Sequence, residues 1–208
     1  MKKICFVATV EYAVNVFLLS HLRALSKIYD ITVIVNTNNI NFLAEQGVNV
    51  NVIALNIARE ISPIKDLMAF AGLVSIFRQQ SFDAVHSIMP KSGLLGMLAA
   101  YVSREPLRVH TFTGQVWANK VGFKRFLLKQ FDCFIAVLST HNMFDSASQL
   151  QFLLIEKVIT QEKSFVCCSG SIAGVDIDKF KPNNVTRIDI RRQLAISEEA
   201  LKIGRAHV

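Results

Sequence analysis

The alternation of short apolar runs with segments of helical spacing most constrains what this chain can fold into. Apolar runs rich in β-branched residues occur at residues 4–10, 31–35, 48–55, 82–87, 107–111 and 165–169. Such runs are typical of strands buried on both faces of a parallel sheet. Helical spacing predicts helices over residues 14–25, 40–46, 62–77, 92–102, 121–138, 146–158 and 187–194. Repeated βα units with right-handed crossovers predict an α/β fold, a Rossmann-like doubly wound parallel sheet.

Length and charge limit the classes of protein that this chain can belong to. With 208 residues, 51% of them hydrophobic, it can bury the core of one domain plus a tail. A net charge of +7 favours anionic partners, namely nucleic acid, nucleotide phosphates, acidic polysaccharide or anionic lipid. No recognised nucleic-acid module appears, so we expect no nucleic-acid partner.

The cysteines and the apolar stretches predict a cytoplasmic protein. Cys5, Cys133, Cys167 and Cys168 form no CxxC pair, so we expect neither a metal site nor a disulfide. The N-terminal apolar run is interrupted by Glu11 and Asn15 and lacks a cleavage site for a signal peptidase. Every apolar stretch is shorter than the roughly 20 residues that a membrane span needs.

Polar loops that contain glycine follow two of the predicted strands, at HSIMPKSG and HTFTGQVW. In an open parallel sheet, ligands bind outside the carboxyl ends of the strands. His110 is therefore a candidate site residue, although it could equally be a strand-end histidine bonded to a carbonyl. Lys91, Ser92 and Gly93 begin a predicted helix and form a candidate anion site. The alternative is a capped helix with a solvated lysine.

Several enzyme classes lack their sequence signatures. The first βα turn, VATVEYAVN, contains no glycine, which disfavours a dinucleotide-binding oxidoreductase. The chain contains no GxxxxGK[ST], HExxH or GxSxG motif, so P-loop, metalloprotease and hydrolase functions are not supported.

Basic and aromatic residues alternate between residues 117 and 131. Trp117, Lys120, Lys124, Arg125 and Lys129 are candidate contacts with an anionic membrane surface. The alternative is a helix packed on the core with a solvated basic edge. The first interpretation predicts a peripheral protein at the inner face of the cytoplasmic membrane.

Four segments together resemble a known family: HSIMPKSGLLG, VHTFTGQVW, the turn FDS, and GSIAGVDIDKFKP. Along with the order of the elements, they are similar to the N-terminal half of a family 4 glycosyltransferase of the two-domain GT-B type. The match is closest to bacterial enzymes of capsule, O-antigen and lipid-linked oligosaccharide synthesis. The GVDxxxFxP turn, residues 174–182, is its most specific part.

This resemblance implies a retaining glycosyltransferase that moves a sugar from a nucleotide diphosphate sugar to a lipid-linked or polysaccharide acceptor. It implies no cofactor or metal besides that donor substrate. His110 would be the catalytic residue that reaches the donor sugar. Substrate contacts would come from the two strand-end loops, at Lys91, Ser92, Gly93, Thr111, Thr113 and Gly114.

Two positions depart from the family pattern. The glycine pair of the first βα loop is absent, and Ala173 stands where an asparagine usually precedes GVD. Phosphate contacts from the first loop are therefore not expected. A rival function is a non-catalytic Rossmann-like module that binds anions or membranes.

The resemblance also implies domain limits. Residues 1–182 would form the acceptor-side domain and residues 183–202 the start of an interdomain linker, with the donor-binding domain missing. The last residues, IGRAHV at 203–208, are what one frame of a common sequencing-library adapter encodes before a stop codon. We therefore expect this hexapeptide to be an artefact and the fragment to be inactive alone.

Overall fold

Seven strands alternate with helices in the computed structural model, which describes residues 1–178 and 180–201. The strands are β1 (Lys3–Ala8), β2 (Asp30–Val35), β3 (Asn51–Ala54), β4 (Ala84–Ile88), β5 (Leu107–Phe112), β6 (His141–Phe144) and β7 (Ser164–Val166). All neighbours pair in parallel, in the order β3-β2-β1-β4-β5-β6-β7. The predicted Rossmann-like α/β class is confirmed. Strand order reverses between β1 and β4, so their carboxyl ends form the switch point at which open sheets bind ligands.

The helices follow the predicted spacing, except that the helix predicted over residues 40–46 is only a short 3₁₀ turn. They are α1 (Glu11–Ala13), α2 (Leu19–Leu25), α3 (Pro63–Gln80), α4 (Pro90–Val102), α5 (Gly122–Leu138), α6 (Ala147–Ile155) and α7 (Asn184–Gln193), with 3₁₀ turns at Ala44–Gln46 and Gln161–Lys163. A π-helical turn, Val14–Leu18, joins α1 to α2. Within the described ranges, no helix has both the length and the apolar content to cross a bilayer.

Two hydrophobic cores lie on opposite faces of the sheet. Phe6 and Val7 are neighbours on β1, but Phe6 packs in the core beneath α2 and Val7 in the core beneath α3 to α6. Successive side chains of a strand point to opposite faces, which explains the division. Both faces of the central strands are therefore covered.

Strand β6 was not predicted from the sequence. Its four residues, HNMF, include a buried Asn142 and an exposed His141, so no apolar run announces it. The predicted strand over residues 165–169 is also shorter than expected, because β7 ends at Val166.

The chain divides into a compact unit Met1–Ala173 and a second unit that begins at Gly174. In the second unit, α7 begins after Asn183, whose side chain accepts a hydrogen bond from Thr186 N at 3.0 Å. The predicted domain limits at residues 182 and 202 stay predictions. Residues 203–208, predicted to be adapter-derived, lie outside the described residues.

Candidate functional site

The loop after β4 is held tightly at the switch point. Met89 has φ of 77°, which turns the chain sharply into α4. Ser92 Oγ donates to the carbonyl of Ile88, and Thr9 Oγ1 at the end of β1 donates to Ser92 Oγ at 3.2 Å. Ser92 is fully buried. Its predicted contact with substrate stays a prediction, and in the structure Ser92 links the ends of β1 and β4 through its hydrogen bonds.

Lys91 forms an internal ion pair. Its Nζ lies 2.7 Å from Asp66 Oδ2 and 2.7 Å from the carbonyl of Glu60. Both side chains of the pair are less than one-fifth exposed, at 16% and 19%. The lysine of the predicted anion site is thus already neutralised, and the structure does not support Lys91 as a phosphate ligand.

His110 lies at the predicted end of β5, but its ring is only 1% exposed. Nδ1 is 2.8 Å from Ser87 Oγ, and the ring packs edge-on against Phe112 with centroids 4.5 Å apart. A Cβ at Gly93 would stand 2.4 Å from His110 Cε1, so only glycine leaves room for the ring. Burial, with a smaller contribution from nearby His86, lowers the pKa of His110 to about 3. The ring is therefore neutral and enclosed.

These contacts change the assignment of two predicted residues. Gly93 packs against His110 and its N–H donates to the carbonyl of Met89 at 2.8 Å. In the structure it is a packing residue, and its predicted contact with substrate stays a prediction. Direct contact of His110 with a donor sugar has no support from the geometry, and its catalytic role stays a prediction.

A second contact between a histidine and a hydroxyl lies on the opposite face of β4 and β5. His86 Nε2 is 2.8 Å from Thr111 Oγ1. Burial, followed by the charge of His21, lowers the pKa of His86 to about 4. Thr111 is 1% exposed and its hydroxyl is hydrogen-bonded to His86, so its predicted contact with substrate stays a prediction.

The loop after β5 retains accessible atoms. Thr113 is half-buried and Gly114 is exposed. Gln149 holds this loop, because its Nε2 donates to the carbonyl of Phe112 at 3.1 Å and to Gln115 Oε1 at 3.4 Å. The buried Nε2 of Gln115 has no hydrogen-bond partner in the described part of the chain. Thr113 and Gly114 therefore remain the candidate substrate contacts.

Gln149 was missed by the sequence reasoning, although a signal existed. Ser146 and Gln149 have the S-x-x-Q spacing of a capping box, and Ser146 Oγ accepts from Gln149 N at 3.1 Å. The Gln149 side chain does not return to Ser146, however. Its Oε1 accepts from Asp145 N at 2.9 Å, so it links the ends of β5 and β6.

Asp145 fixes the loop that follows β7. Its carbonyl accepts from Ser171 N at 2.6 Å, and its Oδ1 accepts from Ile172 N at 3.0 Å. A Cβ at Gly170 would stand 2.4 Å from the Asp145 carbonyl oxygen, and Gly170 has φ of 96°. His21 on α2 hydrogen-bonds the carbonyl of Ile172. The start of the GSIAGVD segment is thus held by hydrogen bonds with Asp145 and with His21.

Trp117 is fully buried, and its predicted contact with a membrane stays a prediction that this burial does not support. Nε1 donates to Asp132 Oδ2 at 2.7 Å, and the ring stacks on Phe152 with centroids 5.5 Å apart. Burial raises the pKa of Asp132 to about 6, against the opposing effect of the hydrogen bond from Trp117. Trp117 therefore anchors the loop after β5 to α5.

The four predicted basic membrane contacts fall into two pairs. Arg125 and Lys129 each lie 2.7 Å from a carboxylate oxygen of Glu156. They also lie 5.0 and 5.6 Å from the centroid of the buried indole ring, so their charges are engaged within the protein. Lys120 and Lys124 are exposed and are the basic residues that remain available to a surface.

Within residues 1–178 and 180–201, no group of three or more His, Cys, Asp or Glu side chains is placed to hold a metal ion. The four cysteines are free thiols.

Known proteins resemble the chain along most of this first unit. The family model described as "Glycosyl transferase 4-like" matches residues 3–138. The capsular polysaccharide biosynthesis glycosyltransferase CapM of Staphylococcus aureus is 27% identical over 126 residues, which is 61% of this chain and 33% of CapM. An Escherichia coli UDP-Gal:alpha-D-GlcNAc-diphosphoundecaprenol alpha-1,3-galactosyltransferase is 28% identical over 127 residues, 61% of this chain and 32% of that enzyme.

A solved structure shares the fold over a larger part of the chain. HepE from Anabaena, in complex with UDP-glucose, superposes with a TM-score of 0.65 at 15% identity, covering 94% of this chain and 50% of HepE. The chain thus spans half of HepE, and its matched segment is about a third of each curated relative.

Proposed function

The chain belongs to the glycosyl transferase 4-like family, and on this premise we propose that it forms the acceptor-side half of a retaining glycosyltransferase. The enzyme would transfer a sugar from a nucleotide diphosphate sugar to a lipid-linked or surface-polysaccharide acceptor. The family match over residues 3–138 carries this proposal. Two relatives named for capsule synthesis and for a diphosphoundecaprenol acceptor support the acceptor class.

The substrate site of this proposal is the carboxyl edge of the sheet between β1 and β5. Thr113 and Gly114 offer a hydroxyl and an exposed backbone there, and Gln149 holds their loop in place. His110 acts as a positioning residue beneath α4, through Ser87 and the close approach of Gly93. Sugar transfer relies mainly on positioning and on stabilisation of the leaving diphosphate, so a buried positioning residue suits it.

A second half must supply the donor site. The test joins residues 1–182 to the C-terminal half of CapM and measures transfer of radiolabelled sugar from several nucleotide sugars to extracted bacterial lipid. We expect transfer by the joined protein and none by the 208-residue chain alone. Transfer by the chain alone would contradict the proposal that it is one half. A folded joined protein that transfers no sugar would contradict the transferase proposal.

The loop after β5 can be tested in the same joined protein. Gly114→Leu is expected to lower transfer at least about tenfold, because a bulky side chain would fill the exposed loop edge. A Cβ at Gly114 meets no atom within 4 Å, so the unfolding midpoint should not change. Ala147→Leu, at an exposed position on α6, is the matched control and should retain full transfer.

We also propose that the intact enzyme is cytoplasmic and peripheral at the inner membrane face. Exposed apolar residues at the start of α5, namely Val121 (86%), Phe123 (77%) and Phe126 (58%), adjoin exposed Lys120 and Lys124. Each basic residue near an anionic bilayer contributes about 1 kcal/mol, so attachment should be weak and salt-sensitive.

Cosedimentation with liposomes at low salt tests this attachment. The chain should pellet with anionic liposomes and not with neutral ones, and Phe123→Ser should weaken pelleting. Ile28→Ser, at a position 60% exposed after α2, is the control. Equal pelleting with neutral liposomes would contradict an electrostatic contribution.

A further inference from the structure

An apolar cavity of about 240 Å³ lies among the amino-terminal ends of α3 and α4 and the middle of α5. Its wall is mainly aliphatic and aromatic and includes Leu94, Leu95, Leu128 and Phe131. Val116, in the loop after β5, also lines it. The cavity therefore adjoins the proposed substrate loop without being part of it.

Exposed apolar side chains continue the cavity wall onto the surface. Ile61 lines the cavity and is 74% exposed. Ile64, Leu67 and Met68, at the start of α3, are between 62% and 75% exposed. Across the opening, Val116 is 56% exposed. An extended apolar chain that enters the cavity would thus contact protein along its exit as well.

The charged residues that line the cavity differ in whether they already have a partner within the protein. Asp66 is paired with Lys91 through Oδ2, while its Oδ1 has no hydrogen-bond partner among the described residues, and Asp132 accepts from Trp117. Arg59 also lines the cavity and is exposed, and no ion pair or hydrogen bond found among the described residues involves it. An apolar cavity with one uncommitted cation at its mouth suits an amphiphile whose head is an anion.

We propose that this groove binds the lipid carrier of the acceptor, a diphosphate-linked isoprenoid, with the chain in the cavity and the diphosphate at Arg59. The choice of ligand rests on the proposed transferase function. At about 240 Å³ the cavity is smaller than the roughly 300–1,000 Å³ of sites that enclose a drug-sized molecule. It fits a segment of a chain rather than a whole nucleotide sugar.

The position of the groove is consistent with this role. Val116 leads directly into the loop that carries Thr113 and Gly114. An isoprenoid held at Val116 with its diphosphate at the cavity mouth would present its sugar toward the carboxyl edge of the sheet. The groove would therefore align the acceptor rather than take part in the chemistry.

Trp117 provides an intrinsic signal for the test, since it is the single tryptophan of the chain and lies next to Val116 and against Asp132, both of which line the cavity. The 208-residue chain is titrated with farnesyl diphosphate, and indole fluorescence and calorimetry are recorded. We expect saturable binding. Pyrophosphate and farnesol should each bind at least about tenfold more weakly, because each lacks one of the two contacts.

Two variants with matched controls locate the site. Arg59→Ala and Ile61→Glu should each weaken binding of farnesyl diphosphate about tenfold. Arg78→Ala, an exposed arginine at the far end of α3, and Ile28→Glu, on the other face of the sheet, should bind as the parent does. Unchanged unfolding midpoints in both test variants would show that they fold.

Four outcomes would overturn the inference. They are no saturable binding, pyrophosphate binding as tight as that of farnesyl diphosphate, equal losses in test and control variants, or equally tight binding of dihexanoyl phosphatidylglycerol. The last result would assign the groove to bulk membrane lipid. If the joined two-domain protein transfers sugar while the groove binds no isoprenoid, the transferase proposal stands and only this inference is wrong.

Discussion

The segment after β4, which comprises Met89 and the first turn of α4, and the loop after β5 follow neighbouring strands of one sheet, and each carries polar side chains and a glycine. In the segment after β4, the polar groups already have partners within the protein. Lys91 pairs with Asp66, Ser92 donates to a carbonyl, and Gly93 makes room for His110. Through these contacts, the segment after β4 links the ends of β1, β4 and β5.

The second loop is held by Gln149 and by Trp117 at its end, but it keeps exposed and unpaired groups. Trp117 is buried against Asp132, whereas Gly114 is exposed and Gln115 Nε2 has no hydrogen-bond partner in the part of the chain that the structure describes. The difference teaches that a glycine and a polar residue at a strand end indicate a site only where they stay unpaired after folding.

Loss of the anchor of the second loop should have the largest effect on stability. Trp117→Ala removes a fully buried side chain and should lower the free energy of unfolding by about 3–5 kcal/mol. Urea unfolding followed by far-ultraviolet circular dichroism measures it, with Val116→Ala as the control. If Trp117→Ala costs less than about 1 kcal/mol, the loop is not anchored there.

The two glycines give the sharpest contrast between the loops. Gly93→Ala places a Cβ 2.4 Å from the buried His110 ring and should cost about 1–3 kcal/mol of stability. Alanine normally favours a helix interior over glycine by about 1 kcal/mol, so a net loss reports the clash. Gly114→Ala meets nothing within 4 Å and should change the free energy of unfolding by less than about 0.5 kcal/mol. Equal effects at both positions would remove the distinction.

The buried groups beneath the two loops should respond to pH with opposite signs. The folded-state pKa of His110 is about 3, below its ordinary 6.5. Its contribution is full above pH 6.5 and is lost as the pH falls toward 3, by up to about 1.4 kcal/mol per pH unit. The folded-state pKa of Asp132 is about 6, above 3.8, so its contribution is full below pH 3.8 and is lost as the pH rises through 6.

Variants isolate these contributions from those of other titrating groups. As the pH falls, the free energy of unfolding of His110→Asn should decrease less than that of the parent chain. As the pH rises toward neutral, the free energy of unfolding of Asp132→Asn should decrease less than that of the parent chain. Denaturant titrations at several values between about pH 4 and pH 7 measure both differences. Parallel pH profiles for the parent and both variants would contradict the assigned pKa directions.

The smallest effect is expected at Lys91. Lys91→Met leaves Asp66 with less compensation in a partly buried position and should cost about 1 kcal/mol. Binding of inorganic phosphate, measured by calorimetry, should not change. Lys65→Met, at an exposed position on α3, should leave both quantities unchanged. A fall in phosphate affinity with unchanged stability would restore Lys91 as an anion ligand.

The fold was predictable because its signals are local. Apolar runs and helical spacing repeat within a few residues, and they located six of the seven strands. Strand β6 escaped because it pairs through its backbone with β5 and β7 and carries two polar residues among four. Its identity as a strand depends on neighbours that a local pattern does not contain.

The site residues were harder to assign because their partners are distant in the chain. No pattern near Lys91 in the sequence predicts that it pairs with Asp66. Likewise, no pattern near Trp117 predicts its hydrogen bond to Asp132. Burial of Ser92 likewise depends on Thr9 at the end of another strand. The sequence located the strand ends where a site can form, but not which polar groups the fold itself would use.

The π-helical turn Val14–Leu18 accommodates one extra residue of chain length. A π turn closes with one more residue than an α turn, so a deletion of one residue there would let a regular α-helix run through, and the later residues of α2 would keep their orientation around the helix axis. Leu22 would stay buried, and His21 would still face the carbonyl of Ile172. A single-codon insertion after this turn has no such turn to absorb it and would rotate the residues that follow by about 100°. It would therefore weaken the contact with the start of the GSIAGVD segment, more than 140 residues later in the chain.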